Sequence, residues 1–326
     1  MKIIGIDIGG ANTKVASSDG KFVDLHYVPL WKETSLPEVL RTIAETQKPD
    51  RIAVVMTGEL ADCYEDKEAG VKGIVDAVEN NFDGDIQYMG VSGNFSREVP
   101  NPRDLAAANW VASAKLIGKE VGDAIFVDMG STTCDIIPIK KGKPVAHTTD
   151  TERLANGELL YEGILRTNAA AVLDRVDISI GSCRVSSELF ATTADAYLVL
   201  GNIEEKTYTA ETADGEGKSI EEASRRLARV VCADLKDISS EDVEQIALAI
   251  KEKQIQEIQN GIREVARHHH LDTVVCAGLG EFLIAEACEL MERECFSIAQ
   301  RWGKEISKVF PAYAVAKLLE MELEAE

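Results

Sequence analysis

One short pattern occurs twice in this chain and limits the folds that are open to it. The first copy, IIGIDIGGANTKVA, spans residues 3–16, and the second, AIFVDMGSTTCDIIPI, spans residues 124–139. Each copy runs from apolar residues through an Asp and a glycine turn into alternating apolar residues, which predicts two strands joined by a tight turn. Asp7 and Asp128 are 121 residues apart, a spacing of domain size. The repeat therefore predicts two similar halves, each with a loop suited to phosphate.

The composition is that of a globular protein large enough for two lobes. The chain has 326 residues, of which 45% are hydrophobic and 28% are charged, and its formal net charge is −21. We expect no nucleic-acid partner, because so acidic a chain is poorly suited to displacing the counterions of phosphate. Small-molecule substrates are expected instead. An anionic ligand must be bound by backbone N–H groups, a metal ion or a few lysines.

Cysteine usage and hydropathy indicate the compartment. The seven cysteines are scattered and form no Cys-x-x-Cys pair, which favours reduced thiols over disulfides or a zinc site. The N-terminus shows no signal-peptide pattern, and no apolar run approaches the roughly 18 residues needed to cross a membrane. We therefore expect a cytoplasmic protein without a membrane partner. The sequence leaves open whether the chain forms a homo-oligomer.

Strand and helix patterns alternate along both halves, which predicts an α/β protein with a cleft between two lobes. We expect residues 1–120 to form the first lobe and residues 121–309 to form the second. The C-terminal helical run, residues 310–326, can pack back onto the first lobe. Helices are also expected at residues 157–166 and 241–269, the latter from its apolar stripe at helical spacing.

The chemistry is expected at the glycine turns. Gly9 and Gly10 allow the backbone to approach a ligand closely, so that successive N–H groups converge on phosphate oxygens. Asn12 and Thr13 add side-chain donors. Lys14 adds a point charge, although the period-two alternation of a strand could also aim it away from the turn.

Carboxylates at the strand ends are candidates for a metal site. Asp7 ends a hydrophobic strand, where an unpaired carboxylate is costly to bury and is suited to hold Mg²⁺ through water. Asp128 takes the same place in the second copy. The second loop continues with further donors and a carboxylate: Gly130, Ser131, Thr132, Thr133 and Asp135. The expected metal ligands are therefore Asp7, Asp128 and Asp135.

A third glycine turn, AGLGEFL at residues 277–283, follows a strand and opens a helix. Its glycines, Gly278 and Gly280, are expected to leave the first N–H groups of the helix free to meet an anion or the edge of a nucleotide. One such turn is often no more than tight strand–helix packing. Three turns in this order favour a phosphate-binding cleft.

The segments IGIDIGGANTK, FVDMGSTTCDI and VVCAGLGEFL resemble the phosphate-one, phosphate-two and adenosine elements of the actin, Hsp70 and sugar-kinase superfamily. FVDMGSTTCDI and TTADAYLVLGN also resemble the hydantoinase A/oxoprolinase family, and residues 57–78, 101–114 and 147–167 resemble its small archaeal branch. The resemblance implies two actin-like (ribonuclease H-like) lobes with a central cleft. For the archaeal branch it implies methanofuran biosynthesis, by a transferase that joins aminomethylfuran-methanol diphosphate to the phenol oxygen of γ-glutamyltyramine and releases diphosphate.

The implied chemistry assigns a role to each candidate residue. Asp7 and Asp128 are expected to hold the metal or its bound water, Lys14 to balance the diphosphate charge, and the glycine turns to bind phosphate oxygens. Glu59, in a turn after a strand, is a candidate for removing the phenol proton or for binding the substrate amine. A helix-capping or solvent-exposed carboxylate is the alternative explanation.

Two other classes of function remain open. An ATP-dependent small-molecule kinase, or a hydrolase of the hydantoinase/oxoprolinase type, would use the same loops on ATP, and a non-catalytic regulator would close on a nucleotide without turnover. The sequence reveals no acceptor pocket. Arg153 and Arg166 are candidates for facing the cleft, whereas Trp31, Trp110 and Trp302 are expected to serve packing.

Overall fold

The computed structural model describes residues 1–32, 35–99 and 101–325, which form β-sheets with helices packed on them. The strands are β1 (Ile3–Gly9), β2 (Asn12–Ser17), β3 (Val23–Tyr27), β4 (Arg51–Thr57), β5 (Asp85–Met89), β6 (Phe95–Ser96), β7 (Ala124–Met129), β8 (Cys134–Lys140), β9 (Lys143–Pro144), β10 (Leu159–Leu160), β11 (Arg175–Ile178), β12 (Gly181–Arg184), β13 (Val274–Ala277) and β14 (Cys295–Ser297). The α-helices are α1 (Leu36–Gln47), α2 (Lys67–Glu79), α3 (Asn109–Glu120), α4 (Asp150–Ala155), α5 (Ala169–Val172), α6 (Thr193–Val199), α7 (Ile220–Arg229), α8 (Ser240–His269), α9 (Glu281–Leu290), α10 (Ile298–Trp302), α11 (Lys304–Lys308) and α12 (Phe310–Ala325).

Two large sheets share one topology. The first has the strand order β3-β2-β1-β4-β5-β6, in which β1, β2 and β3 are antiparallel and β4 and β5 run parallel to β1. The second has the order β10-β8-β7-β13-β14, in which β7 and β8 form an antiparallel hairpin and β13 and β14 run parallel to β7. Thus β1 corresponds to β7, β2 to β8, and β4 to β13. The predicted α/β fold with two similar halves is confirmed.

The C-terminal helix α12 packs directly on β1. A Cβ atom on Gly5 would lie 1.9 Å from the carbonyl oxygen of Ala312 and 2.9 Å from Cγ1 of Val315, so only glycine allows this approach. One apolar cluster includes residues of β1, α3, α12 and β7, and the rings of Phe126 and Phe310 are 5.7 Å apart. The two sheets therefore share one apolar core.

The long helix predicted at residues 241–269 is confirmed as α8. Ser239 caps its start, because its hydroxyl accepts a hydrogen bond from the N–H group of Asp242 at 3.2 Å and the Asp242 carboxylate accepts one from the N–H group of Ser239 at 3.1 Å. Ile246, Ile250 and other apolar residues at helical spacing are buried. In the described ranges, no helix combines the length and the apolar character that crossing a membrane requires.

The segment 157–166 is not the predicted helix. Apart from the short strand β10 it forms turns that lie over the second glycine loop. The N–H group of Ile164 donates to the carbonyl oxygen of Gly130 at 3.0 Å, and a Cβ atom on Gly163 would lie 2.3 Å from the backbone nitrogen of Thr132. The donors that a helix would use internally are therefore bound to the loop, and glycine is needed for this close approach.

Candidate active site

The cleft between the two sheets contains a cavity of about 730 Å³, and both predicted phosphate loops line it. The loops also touch each other, because Nδ2 of Asn12 donates a hydrogen bond to Oγ of Ser131 at 3.0 Å. Each loop follows the strand that begins its half of the repeat, so the internal duplication of the fold brings the two loops face to face. One ligand can contact both.

The strand register places ionisable groups at equivalent positions in the two halves. Asp7 on β1 lies directly opposite Lys14 on β2, and Asp128 on β7 lies directly opposite Asp135 on β8. Residues directly opposite each other point to the same face of a sheet, and all four residues line the cavity. In the first half, the Asp7 carboxylate pairs with the Lys14 ammonium at 3.3 Å. In the second half, the position equivalent to Lys14 is occupied by the carboxylate of Asp135.

Strand alternation separates the polar residues of the first loop. Asn12 and Lys14 line the cavity, so the alternation directs Lys14 into the cavity and not away from it. Thr13 points to the opposite face, where it is buried and its hydroxyl has no hydrogen-bond partner in the described chain. Thr13 therefore does not serve as the predicted side-chain donor.

Free backbone donors are present in both loops. The N–H groups of Gly10, Ala11, Ser131 and Thr132 donate no hydrogen bond to any residue of the described ranges, and all four residues line the cavity. The N–H group of Gly130 donates to the carbonyl oxygen of Thr133 at 2.9 Å, which closes the second turn. N–H groups that converge at such turns can form an anion site without any charged side chain.

Burial raises the pKa of two cavity carboxylates, Asp7 and Asp128. Burial raises the pKa of Asp7, and Lys14 limits the rise. For Asp128, burial is the largest cause, and Asp135, Asp7 and Glu281 add to it, so that its pKa rises to about 7 although Lys14 lowers it. Burial disfavours the ammonium of Lys14, but Asp7 and Asp128 outweigh this and raise its pKa. An added cation would stabilise the ionised carboxylates.

The residues fit a metal ion that binds together with an anionic ligand. Within residues 1–32, 35–99 and 101–325, no three His, Cys, Asp or Glu side chains could hold a metal ion by themselves. Asp135 is engaged by Arg153, so the three predicted carboxylates are not a preformed cage. Oδ1 of Asp7 is buried and has no partner in the described chain, and Asp128 lines the same cavity. Two carboxylates completed by phosphate oxygens and water match the preference of Mg²⁺.

Glu59 is a buried carboxylate at the same cavity. It follows β4, its residue is 1% exposed, and its Oε2 has no hydrogen-bond partner among the described residues. A Cβ atom on Gly70 would lie 2.1 Å from the carbonyl oxygen of Glu59, so α2 packs tightly behind this turn. Burial raises the pKa of Glu59. The alternative explanation of Glu59 as a solvent-exposed carboxylate is therefore wrong.

The third glycine turn packs against the second strand hairpin. The N–H group of Gly278 donates to Oγ of Ser307 at 3.0 Å, and that of Gly280 donates to the carbonyl oxygen of Met129 at 2.9 Å. At the start of α9, the N–H groups of Glu281 and Leu283 donate to the carbonyl oxygens of Gly278 at 3.3 Å and Gly280 at 2.9 Å, so these two helix donors, which were predicted to be free, are occupied. Gly278 lines the cavity, and with φ at +93° a Cβ atom there would lie 2.3 Å from Oδ1 of Asp128. The turn allows close packing beside Asp128.

Arg153 makes contacts at the cavity that sequence reasoning did not reveal. It is 2% exposed, pairs with Asp135, and pairs with Asp150 at 3.4 Å. Its guanidinium carbon lies 4.8 Å from the centre of the Trp110 ring, so Trp110 supports a charged group as well as the core. Trp302 packs against the Phe310 ring at 5.9 Å, in agreement with the prediction of a packing role.

Arg166 and Trp31 also line the cavity. The guanidinium carbon of Arg166 lies 4.3 Å from the centre of the Trp31 ring, so the expectation that Trp31 serves only packing is incomplete. The two residues are distant in sequence, and no periodic pattern links them.

Comparison with known proteins identifies the family. A profile described as Hydantoinase/oxoprolinase matches residues 50–322. The chain belongs to the hydantoinase/oxoprolinase family. A protein of Methanocaldococcus jannaschii is 40% identical over 331 residues, which cover 99% of each chain. A protein of Methanococcus vannielii is 38% identical over 208 residues, which cover 63% of this chain and 94% of that protein. Both relatives are named (4-{4-[2-(gamma-L-glutamylamino)ethyl]phenoxymethyl}furan-2-yl)methanamine synthase.

Solved structures confirm the fold of this hydantoinase/oxoprolinase family member. A nucleotide-free acetone carboxylase is similar with a TM-score of 0.57 and 11% identity, over 97% of this chain and 70% of that one. A ROK family glucokinase from Streptomyces griseus, in complex with glucose and AMPPNP, is similar with a TM-score of 0.51 and 11% identity, over 98% of this chain and 99% of that one. The predicted architecture of two actin-like lobes is confirmed.

Proposed function

We propose that this chain is an ether-forming synthase of methanofuran biosynthesis. The observation that carries the proposal is the 40% identity to the Methanocaldococcus jannaschii protein across 99% of both chains. The name of that protein contains a phenoxymethyl group on a furan that also carries a methanamine group. The bond to be formed therefore joins a phenol oxygen to a furfuryl carbon, with γ-glutamyltyramine as the acceptor and aminomethylfuran-methanol diphosphate as the donor.

The proposed reaction is a displacement in which diphosphate leaves. The bond between the furfuryl carbon and the diphosphate oxygen breaks, its electron pair stays on diphosphate, and the furan ring delocalises the positive charge on carbon. The phenol oxygen then bonds to that carbon and loses its proton. The protein must stabilise the leaving anion, align the phenol and exclude water from the cation.

The two loops supply the groups that a leaving diphosphate needs. The free N–H groups of Gly10, Ala11, Ser131 and Thr132 would bind phosphate oxygens, and the ammonium of Lys14 would balance negative charge. Fixed donors stabilise charge without reorganising during the reaction, and removal of one such donor typically slows an enzyme about 100- to 1,000-fold. The Asn12 contact to Ser131 holds the loops together around this anion.

The buried carboxylates would take the remaining roles. Asp7 and Asp128 would hold Mg²⁺ together with diphosphate oxygens, and the ion would neutralise charge on the leaving group. Glu59 would accept the phenol proton or bind the ammonium group of the donor. Its raised pKa favours proton transfer, and its unpartnered Oε2 suits either role.

Mass spectrometry of the products tests the proposal. The protein is incubated with Mg²⁺ and either the furfuryl diphosphate donor with γ-glutamyltyramine, or ATP with the same acceptor. The ether and pyrophosphate are expected from the first mixture. Lys14→Gln should lose this activity, whereas Lys21→Gln, which removes an exposed lysine of the same lobe, should keep it.

The same experiment separates the alternatives. Release of ADP without ether would support an ATP-dependent kinase or hydrolase instead. Nucleotide binding without any turnover would support a regulator.

A further inference from the structure

One cation of the cavity has no acidic partner among the residues that the structure describes. The cationic side chains that line the cavity are Lys14, Arg153, Arg166, Lys206 and Lys308. All but one form an ion pair with a carboxylate. Arg166 forms none with any carboxylate of residues 1–32, 35–99 or 101–325. The chain has a net charge of −21, and several carboxylates line the same cavity. An arginine that still pairs with none of the described carboxylates is well placed to bind an anionic ligand.

The position of Arg166 is set by the second phosphate loop. Its backbone N–H group donates to the carbonyl oxygen of Ser131 at 3.1 Å, and its Nη1 donates to Oγ1 of Thr132 at 3.5 Å. The free N–H groups of Ser131 and Thr132 are part of the same loop. The guanidinium therefore lies next to backbone donors that have no hydrogen-bond partner in the described part of the chain.

Trp31 holds the guanidinium in a defined plane. The indole comes from the first lobe and Arg166 from the second, and the two stack at 4.3 Å across the cleft. Stacking uses the flat face of a guanidinium and leaves the N–H groups along its edge available. Those N–H groups form a fork whose geometry matches two oxygens of one phosphate.

We infer that Arg166 is a diphosphate-binding residue that acts together with the N–H groups of Ser131 and Thr132. The inference rests on the proposed function for the identity of the ligand, and it adds a specific side chain to the phosphate site. Diphosphate is a better match than the carboxylate of γ-glutamyltyramine, because the free backbone donors of the second loop lie beside the guanidinium. Arg166 thus supplies directional charge to the second loop, which has no lysine corresponding to Lys14.

Binding of inorganic pyrophosphate in the presence of Mg²⁺ tests the inference directly. Isothermal titration calorimetry of Arg166→Gln should show affinity about 10- to 100-fold below that of the unmodified protein, which is the usual effect of losing hydrogen bonds to a charged group. Arg166→Lys should restore part of it, because lysine keeps the charge but not the fork. Lys206→Gln removes a paired and exposed lysine of the same cavity and should change affinity less than about 3-fold. Unchanged affinity in Arg166→Gln would overturn the inference.

Ether-forming kinetics identify which substrate Arg166 binds. In Arg166→Gln, KM for the donor should rise and product inhibition by pyrophosphate should weaken. Each effect should be the same with γ-glutamyltyramine as with tyramine, which lacks the glutamyl carboxylate. A defect seen only with γ-glutamyltyramine would assign Arg166 to the acceptor and refute the diphosphate role. If the unmodified protein forms no ether but pyrophosphate affinity still depends on Arg166, the proposed function fails while the phosphate role stands.

Discussion

Replacement of Asp128 by Asn is expected to stabilise the metal-free protein above neutral pH and to abolish its activity. Asp128 is buried at the cavity, and its pKa rises from the ordinary 3.8 to about 7, chiefly through burial and with contributions from Asp135, Asp7 and Glu281. Asn has nearly the same shape but cannot ionise. The variant therefore removes a destabilising charge from the folded state together with a proposed ligand of the metal.

The size and sign of the effect follow from proton linkage. Between pH 3.8 and about 7 the unfolded chain has lost the Asp128 proton while the folded protein keeps it. The stability contributed by this group is therefore fully present below pH 3.8 and is lost as pH rises through about 7. The whole loss corresponds to about 4 kcal/mol, of which about 3 kcal/mol falls between about pH 5 and about pH 8. The difference in free energy of unfolding between Asp128→Asn and the unmodified protein should therefore change by about 3 kcal/mol in favour of the variant between about pH 5 and about pH 8.

Urea denaturation followed by circular dichroism, in EDTA at pH 5 and pH 8, measures this difference. Groups that do not interact with Asp128 titrate alike in both proteins and cancel. Asp272→Asn, which changes a fully exposed carboxylate, should show no such trend. Mg²⁺ with pyrophosphate at pH 8 should stabilise the unmodified protein but not Asp128→Asn. Equal pH dependence of the two stabilities would refute the argument that burial of Asp128 destabilises the fold.

Three further substitutions, two of them with a matched control, test roles in catalysis and in folding. Asp7→Asn should lower kcat at least about 100-fold in the ether-forming assay, whereas Asp24→Asn, at a more exposed carboxylate of the same cavity, should remain near normal; full activity of the first variant would exclude a role for Asp7. Gly5→Ala adds a Cβ atom 1.9 Å from a carbonyl oxygen of α12 and should lower the free energy of unfolding by about 3 kcal/mol. Gly10→Ala adds a Cβ atom that meets nothing within 4 Å and should change the free energy of unfolding by less than about 0.5 kcal/mol. Equal urea midpoints of the two variants would contradict this difference. If Glu59 binds the ammonium of the donor, Glu59→Gln should raise KM only for donors with an aminomethyl group. If Glu59 takes the phenol proton, the same variant should lower kcat with plain furfuryl diphosphate as well. Normal kinetics with both donors would rule out both roles.

Local features of the fold could be predicted from the sequence because contiguous residues determine them. The two glycine hairpins and α8 are set by short-range alternation, helical spacing and capping residues. The direction of Thr13, away from the cavity and into the buried face of the sheet, could also have been derived, because a strand that begins at Asn12 and directs Lys14 to the cavity must turn the residue between them to the opposite face. Here the signal was present in the sequence.

Contacts between distant segments could not be predicted in the same way. The pairing of Arg153 with Asp135 and the stacking of Arg166 on Trp31 depend on how separate elements are placed in space. No periodic pattern encodes such placement. The segment 157–166 failed as a predicted helix for a related reason, since its backbone donors are bound by a loop that lies about thirty residues earlier in the chain. Its glycines were the one available sign of close packing.

The opposite charges of Lys14 and Asp135 give the duplicated scaffold a polarity. Two identical halves would accept an elongated ligand equally well in either direction. With the Lys14 ammonium on one wall and, at the matching point of the other, a carboxylate already paired with Arg153, reversal of the ligand would take its anionic end away from the ammonium. We therefore expect the donor to enter in a single orientation, so that the side of the furan that the phenol attacks is decided before any bond breaks.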